Sequence, residues 1–202
     1  MDIKKIVTKE ESEKKRRTRN FLIGMVLVLI MVFSTAGYAI NVAFSNQGSK
    51  NTNTVKYKGI EFAKDSSGYW EFQYNDQKFI TQYNPLELND TIVTTGLSLA
   101  TYKGSVLYYE FNDSQDGARE ILSNLWDLNQ IPKRTLRACL SDNCTIDAPV
   151  KSCSEDKIIS FRTPVGSETQ RVYKEDNCVF IVANDTNQVK YSDAFLYNII
   201  GI

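Results

Sequence analysis

Residues 21–40, FLIGMVLVLIMVFSTAGYAI, carry no charge, and the uncharged run continues to residue 44. Twenty helical residues at about 1.5 Å each span the roughly 30 Å of hydrocarbon in a bilayer. The segment 21–44 is therefore expected to be a membrane helix, in contact with the lipid bilayer, that fixes the rest of the chain to one side.

The preceding residues set the orientation. Residues 1–20 hold eight Lys/Arg and four Asp/Glu, and residues 14–19 are almost all basic. Basic residues beside a membrane helix stay cytoplasmic, because carrying them across hydrocarbon is costly. The N-terminus is expected inside, and everything beyond residue 44 outside the cytoplasm. The rival is a cleaved signal peptide, with small-x-small sites at 34–36 or 37–39. The long charged leader and an apolar run exceeding the usual h-region of about 7–15 residues favour a retained anchor. Residues 45–54, SNQGSKNTNT, are polar with Gly and Asn and read as a flexible tether. Residues 55–202 then make one extracytoplasmic domain, a length that buries about 70% of its unfolded surface.

Composition narrows the function. The chain has 24 basic and 24 acidic residues; without the first twenty, 16 basic face 20 acidic. A mildly acidic domain does not fit a nucleic-acid partner, which needs a basic face. Histidine is absent. Ser-His-Asp and Cys-His catalysis, histidine metal sites and histidine pH switching are all excluded. No G-x-S-x-G elbow, Walker loop or dinucleotide-binding glycine loop is present. No catalytic residue, metal or cofactor is therefore expected.

The four cysteines, Cys139, Cys144, Cys153 and Cys178, all lie in the last third of the chain. An even count outside the cytoplasm points to two disulfides. Three pairings are open. Cys139–Cys144 with Cys153–Cys178 is favoured, because the first pair closes a tight loop at a strand end. The spacing lacks the C-x2-C knuckles of structural zinc and the C-x-x-C of thiol oxidoreductases. Four sequons, at Asn89, Asn112, Asn143 and Asn184, fall in expected turns and are glycosylation acceptors for a host with the machinery.

Patterning along the domain gives an α+β fold. Residues 55–62 alternate apolar and polar as one strand. Strands at 69–74 and 78–83, joined by Asn75-Asp76-Gln77, make a hairpin, so the domain begins as an aromatic β-meander. Its aromatics suit a strand core, or else a carbohydrate-binding surface. Residues 86–101 are mostly irregular, with room for a short helix. A strand at 105–111 leads to a helix at 116–129, capped by Asn112-Asp113-Ser114, with Ala118, Ile121, Leu122, Leu125 and Leu128 on one face and Trp126 at its edge. A strand at 133–140 completes a β-α-β unit with parallel strands. A cysteine-pinned loop, strands at 157–162, 170–174 and 177–183, and a closing helix at 191–200 follow. From residue 105 this order resembles the thioredoxin-like arrangement, with Ala148-Pro149 as a counterpart of that family's cis-proline.

Two loops invite a chemical reading. Residues 112–117, NDSQDG, are superficially similar to a calcium loop, but the twelfth position is Ser123 rather than Glu. Asp142, Asp147, Glu155 and Asp156 surround the cysteines without a nucleophile, so a solvated loop is expected.

The basic start, the single anchor, the aromatic meander, the β-α-β unit, the scattered cysteines and the ending DAFLYNIIGI (residues 193–202) resemble uncharacterised small single-pass membrane-anchored proteins of archaeal type. That resemblance implies no particular activity. The expected function is a non-catalytic interaction or accessory domain with a protein partner in or at the membrane. The alternatives are a membrane-tethered thiol–disulfide oxidoreductase using Cys139/Cys144 or Cys153/Cys178, and a cell-surface carbohydrate-binding module.

Overall fold

The computed structural model describes residues 17, 20–28, 31, 53–111, 115–141, 144 and 146–202. The chain divides into two units, Met1–Thr52 and Asn53–Ile202. In the first, the described residues are helical, and the side chains of Phe21, Leu22, Leu27, Val28 and Met31 are exposed. Among the described residues no helix is long and apolar enough to cross a membrane. Much of the expected anchor 21–44, and residues 45–52 of the expected tether, lie outside the described residues. The last two residues assigned to the tether belong instead to the domain. Thr54 pairs with Ala63, and the Asn53 carbonyl accepts from Lys64 N at 2.7 Å.

The second unit is α+β, with two sheets and a C-terminal helix. The smaller sheet is an antiparallel meander of β1 (Thr54–Tyr57), β2 (Ile60–Lys64), β3 (Trp70–Tyr74) and β4 (Gln77–Thr81). Residues 55–62 are thus not one strand but a hairpin that turns at Lys58 and Gly59, with φ of 46° and 83°. The alternation hides the turn, because Lys58 fits the pattern while occupying a left-handed conformation. The β3–β4 turn uses Asn75 and Asp76, with φ of 49° and 61°, and Gln77 already pairs with Tyr74. Phe62, Trp70, Phe72 and Phe79 are buried, with ring centroids 4.6 Å apart for Phe62–Phe72 and 5.3 Å for Phe72–Phe79.

The irregular segment holds 3-10 turns at Pro85–Leu88 and Leu99–Thr101, with the two-residue strand β5 (Val93–Thr94) between them. The first is a capping box. Asn84 Oδ1 accepts from Leu86 N at 2.9 Å, and Glu87 Oε2 accepts from Asn84 N at 2.7 Å.

The larger sheet has the order β5-β9-β10-β8-β6-β7 and adds β6 (Val106–Phe111), β7 (Arg134–Arg137), β8 (Ile158–Arg162), β9 (Arg171–Glu175) and β10 (Cys178–Val182). β6 and β7 pair in parallel across helix α1 (Asp116–Leu122), which continues as a π-helical stretch, Ser123–Leu128. β8 also runs parallel to β6 and β10, and only β9 is antiparallel to its neighbour β10. The cap of α1 is Gln115, with no side-chain cap bond, rather than the expected run 112–114, which lies outside the described residues. Ala118, Ile121 and Leu125 are buried as the stripe requires, whereas Leu128 is 43% exposed where the helix widens and turns away.

Helix α2 (Gln188–Ile200) is buried on every side: all residues from Tyr191 to Tyr197 are buried. A helix covered all round is a central layer rather than a surface element. It packs on β9 and β10 through one face, on α1 through another, and sets Tyr197 against Phe62 and Phe72 of the meander at 5.9 and 5.5 Å. Gly117 of α1 allows the helices their close approach, since a Cβ there would lie 2.8 Å from Ser192 Oγ. Gly201, at φ 90°, ends α2 by donating to the carbonyls of Tyr197 and Asn198.

Candidate functional site

Two places concentrate polar chemistry: the cysteine loop on the helix-free face of the larger sheet, and a carboxyl pair at the helix–meander boundary. In the first, Cys139 is bonded to Cys144 and Cys153 to Cys178. Cys139 also forms an isolated parallel bridge with Val150, so the loop returns alongside the end of β7. Cys178 opens β10 and is fully buried, and Cys153 is half-buried above it. An open groove of about 660 Å³ runs beside this bond, lined by Leu140, Val150, Lys151, Cys153, Asp156 and Phe180.

Two of the groove's charges, Lys151 and Asp156, are paired with each other. Lys151 Nζ lies 3.2 Å from Asp156 Oδ1 and 4.5 Å from the centre of the Tyr108 ring. Bonding to Tyr108 and then to Asp156 raises its pKa, so it remains an ammonium and does not serve as a base. Below, Glu110 accepts from Leu140 N and from Ser160 Oγ, both at 2.9 Å, and so ties the loop to β8. Of the acidic residues around the cysteines, Asp147 and Glu155 are exposed, Asp156 is spent on Lys151 and Ser152, and Asp142 lies outside the described residues. No group of three or more His, Cys, Asp or Glu among the described residues is placed to hold a metal ion. The Ala148-Pro149 bond is trans, unlike the cis-proline expected from the thioredoxin-like order.

The sequons divide. Asn89 and Asn184 are exposed; Asn89 donates to the Leu86 carbonyl, and Asn184 Oδ1 accepts from Thr186 Oγ1 at 3.0 Å. Asn112 and Asn143 lie outside the described residues. A sugar-binding meander needs solvent-facing rings, but Phe62, Trp70, Phe72 and Phe79 are core, and Tyr69, at 42% exposed, is its most open aromatic.

The second place was not anticipated from the sequence. β4 is an edge strand, and the helices cover its free edge with side chains. Asn124 Oδ1 accepts from Ile80 N at 2.8 Å, and Asn124 Nδ2 donates to Ile80 O at 2.7 Å. Asn129 donates to Lys78 O at 2.8 Å. Past the end of the strand, Asp193 Oδ2 accepts from Gln82 N at 3.0 Å and Tyr83 N at 2.9 Å. Tyr197 donates to Tyr83 O at 2.9 Å and bonds Thr81 Oγ1 at 2.6 Å. Burial pushes the carboxyl of Asp193 well above its ordinary range, with the nearby Glu120 carboxyl adding to the effect; burial likewise raises Glu120. A signal was present in the sequence: Asp193 is the sole charged residue between 191 and 202, inside an otherwise apolar helix. Asn124 gives no such warning.

No protein-family model matches this chain, and neither a curated protein nor a solved structure shows significant similarity to it.

Proposed function

We propose that the chain is a single-pass membrane protein with a cytoplasmic N-terminus, whose unit Asn53–Ile202 is an extracytoplasmic, non-catalytic interaction or accessory domain. The observation that carries this reading is the pairing of all four cysteines in a chain that also holds the uncharged run 21–40. Disulfides persist in oxidising compartments and are rare in the cytosol. The exposed apolar side chains of residues 21–28 and 31 add support, because such a surface suits lipid. The non-catalytic part rests on the engagement of the polar groups: Lys151, Glu110, Asp156 and Asp193 are each committed to structural bonds. The groove beside Cys153 is the face we assign to a protein partner at the membrane. Protease added to intact cells tests the topology. A C-terminal tag is expected to be removed without lysis, and a tag protected until lysis overturns the assignment.

One observation favours a second reading, thiol–disulfide exchange: the half-buried Cys153 borders the groove and is open to an incoming thiolate. Turnover in an insulin-reduction assay that is lost in Cys153→Ser would establish it, and no turnover would remove it.

A further inference from the structure

We propose that Glu120 and Asp193 share one proton, and that this shared proton is a latch fastening β4 to the helical layer, closed while the proton is held and loosened when it leaves. Asp193 is fully buried, and its Oδ2 is occupied by the amides of Gln82 and Tyr83. Its other oxygen, Oδ1, and Glu120 Oε1 are both buried without any hydrogen-bond donor. Helices α1 and α2 are in close contact here, with Gly117 against Ser192, and the two carboxyls act on each other across that contact. Two carboxylates cannot bond, because both only accept. One proton between them converts an unpaired buried charge pair into a charge-assisted hydrogen bond and satisfies both oxygens.

Among the described residues no Lys or Arg acts on either carboxyl, and the cations of the adjoining elements are paired elsewhere. On α1, Arg119 lies 3.8 Å from Asp116; on α2, Lys190 lies 2.7 Å from Asp90; on β4, Lys78 lies 2.8 Å from Glu71. From the segment after β4, Glu87 is bonded to Asn84 N at 2.7 Å, and the Tyr83 side chain is half-buried. From α2, Tyr191 and Tyr197 have phenols raised chiefly by burial and stay neutral. The pair therefore depends on its proton alone.

The direction with pH follows from the raised pKa values. Unfolded Asp and Glu lose their protons near pH 4, while the folded pair keeps at least one above that. The latch's contribution is complete below that pH and is lost as pH rises through the folded pKa values. Each retained proton lowers the folding equilibrium constant about tenfold per pH unit over that window. Deprotonation hands the proton to solvent and leaves two carboxylates facing each other at the seam.

The test is amide hydrogen exchange on the full chain in detergent micelles at pH 5.5 and 8.5, corrected for intrinsic rates. The Ile80 amide is an internal control, because it lies on the same strand edge but is held by the neutral Asn124. Protection at Gln82 and Tyr83 is expected to fall about tenfold or more relative to Ile80 as pH rises. In Glu120→Gln, whose amide donates to Asp193 at any pH, that difference is expected to vanish. An equal change at all three amides in the wild-type chain, or no change, overturns the proposal even if the variant fails to fold. A differential that survives unchanged in a folded Glu120→Gln also overturns it.

Discussion

The two sheets share one pair of helices but are held to them differently. The larger sheet presents a helix-facing row of apolar side chains, including Leu107, Ile159, Phe161, Val172, Val179 and Ile181, all at most 1% exposed, and the Cys153–Cys178 disulfide lies at its far side. The meander adds to its aromatic contacts a seam of directional bonds, in which Asn129, Asn124, Asp193 and Tyr197 address successive backbone groups from Lys78 to Tyr83. Apolar contact is non-directional and leaves a strand free to slide along a helix. Hydrogen bonds to named backbone groups fix its position and also cover an edge that would otherwise invite pairing with another chain. One sheet therefore draws on packing and covalent closure, and the other on polar groups whose state depends on a proton.

That contrast is broken most severely at Asp193. Asp193→Ala takes the acceptor from two part-buried amide donors and empties a fully buried position, and is expected to lower stability by about 4 kcal/mol, read as a drop in the urea midpoint. On the other sheet, Cys153→Ser with Cys178→Ser opens a closure between residues 25 apart. Loop entropy puts that loss at about 3.5 kcal/mol. The same replacement at Cys139 and Cys144, only 5 residues apart, should cost about 2 kcal/mol, so calorimetry of the two double variants ranks the bridges. The smallest effect is at the β1–β2 turn, where Gly59→Ala forces a Cβ onto φ +83° at a cost of about 1 kcal/mol. A Gly59→Ala cost well above this would mean that the meander is held by its turns more than by the seam.

The parts legible in the sequence are those with a local signature. Alternation and the Asn75-Asp76 turn reveal the β3–β4 hairpin, and the stripe Ala118, Ile121, Leu125 reveals α1 and, with it, the parallel β6–β7 pair. The β1–β2 hairpin stays hidden, because Lys58 keeps the alternation while turning the chain. Strand adjacency is also beyond a local signal: β8 sits between β6 and β10 through contacts distant in sequence, which a one-dimensional element order does not contain. The seam on β4 is illegible for the same reason. Asn124 and Asp193 lie 44 and 110 residues or more from the amides they bond. Only the misplaced charge of Asp193 in an apolar helix hints that something is buried there.

The most direct test of the proposed oxidised, extracytoplasmic domain is the state of the four thiols in the full chain. Alkylation with iodoacetamide before any reductant, followed by intact-mass measurement, should show no adducts, and four after reduction and unfolding. Adducts on Cys139, Cys144, Cys153 or Cys178 without reductant would contradict the paired cysteines and, with them, the proposed outward-facing domain.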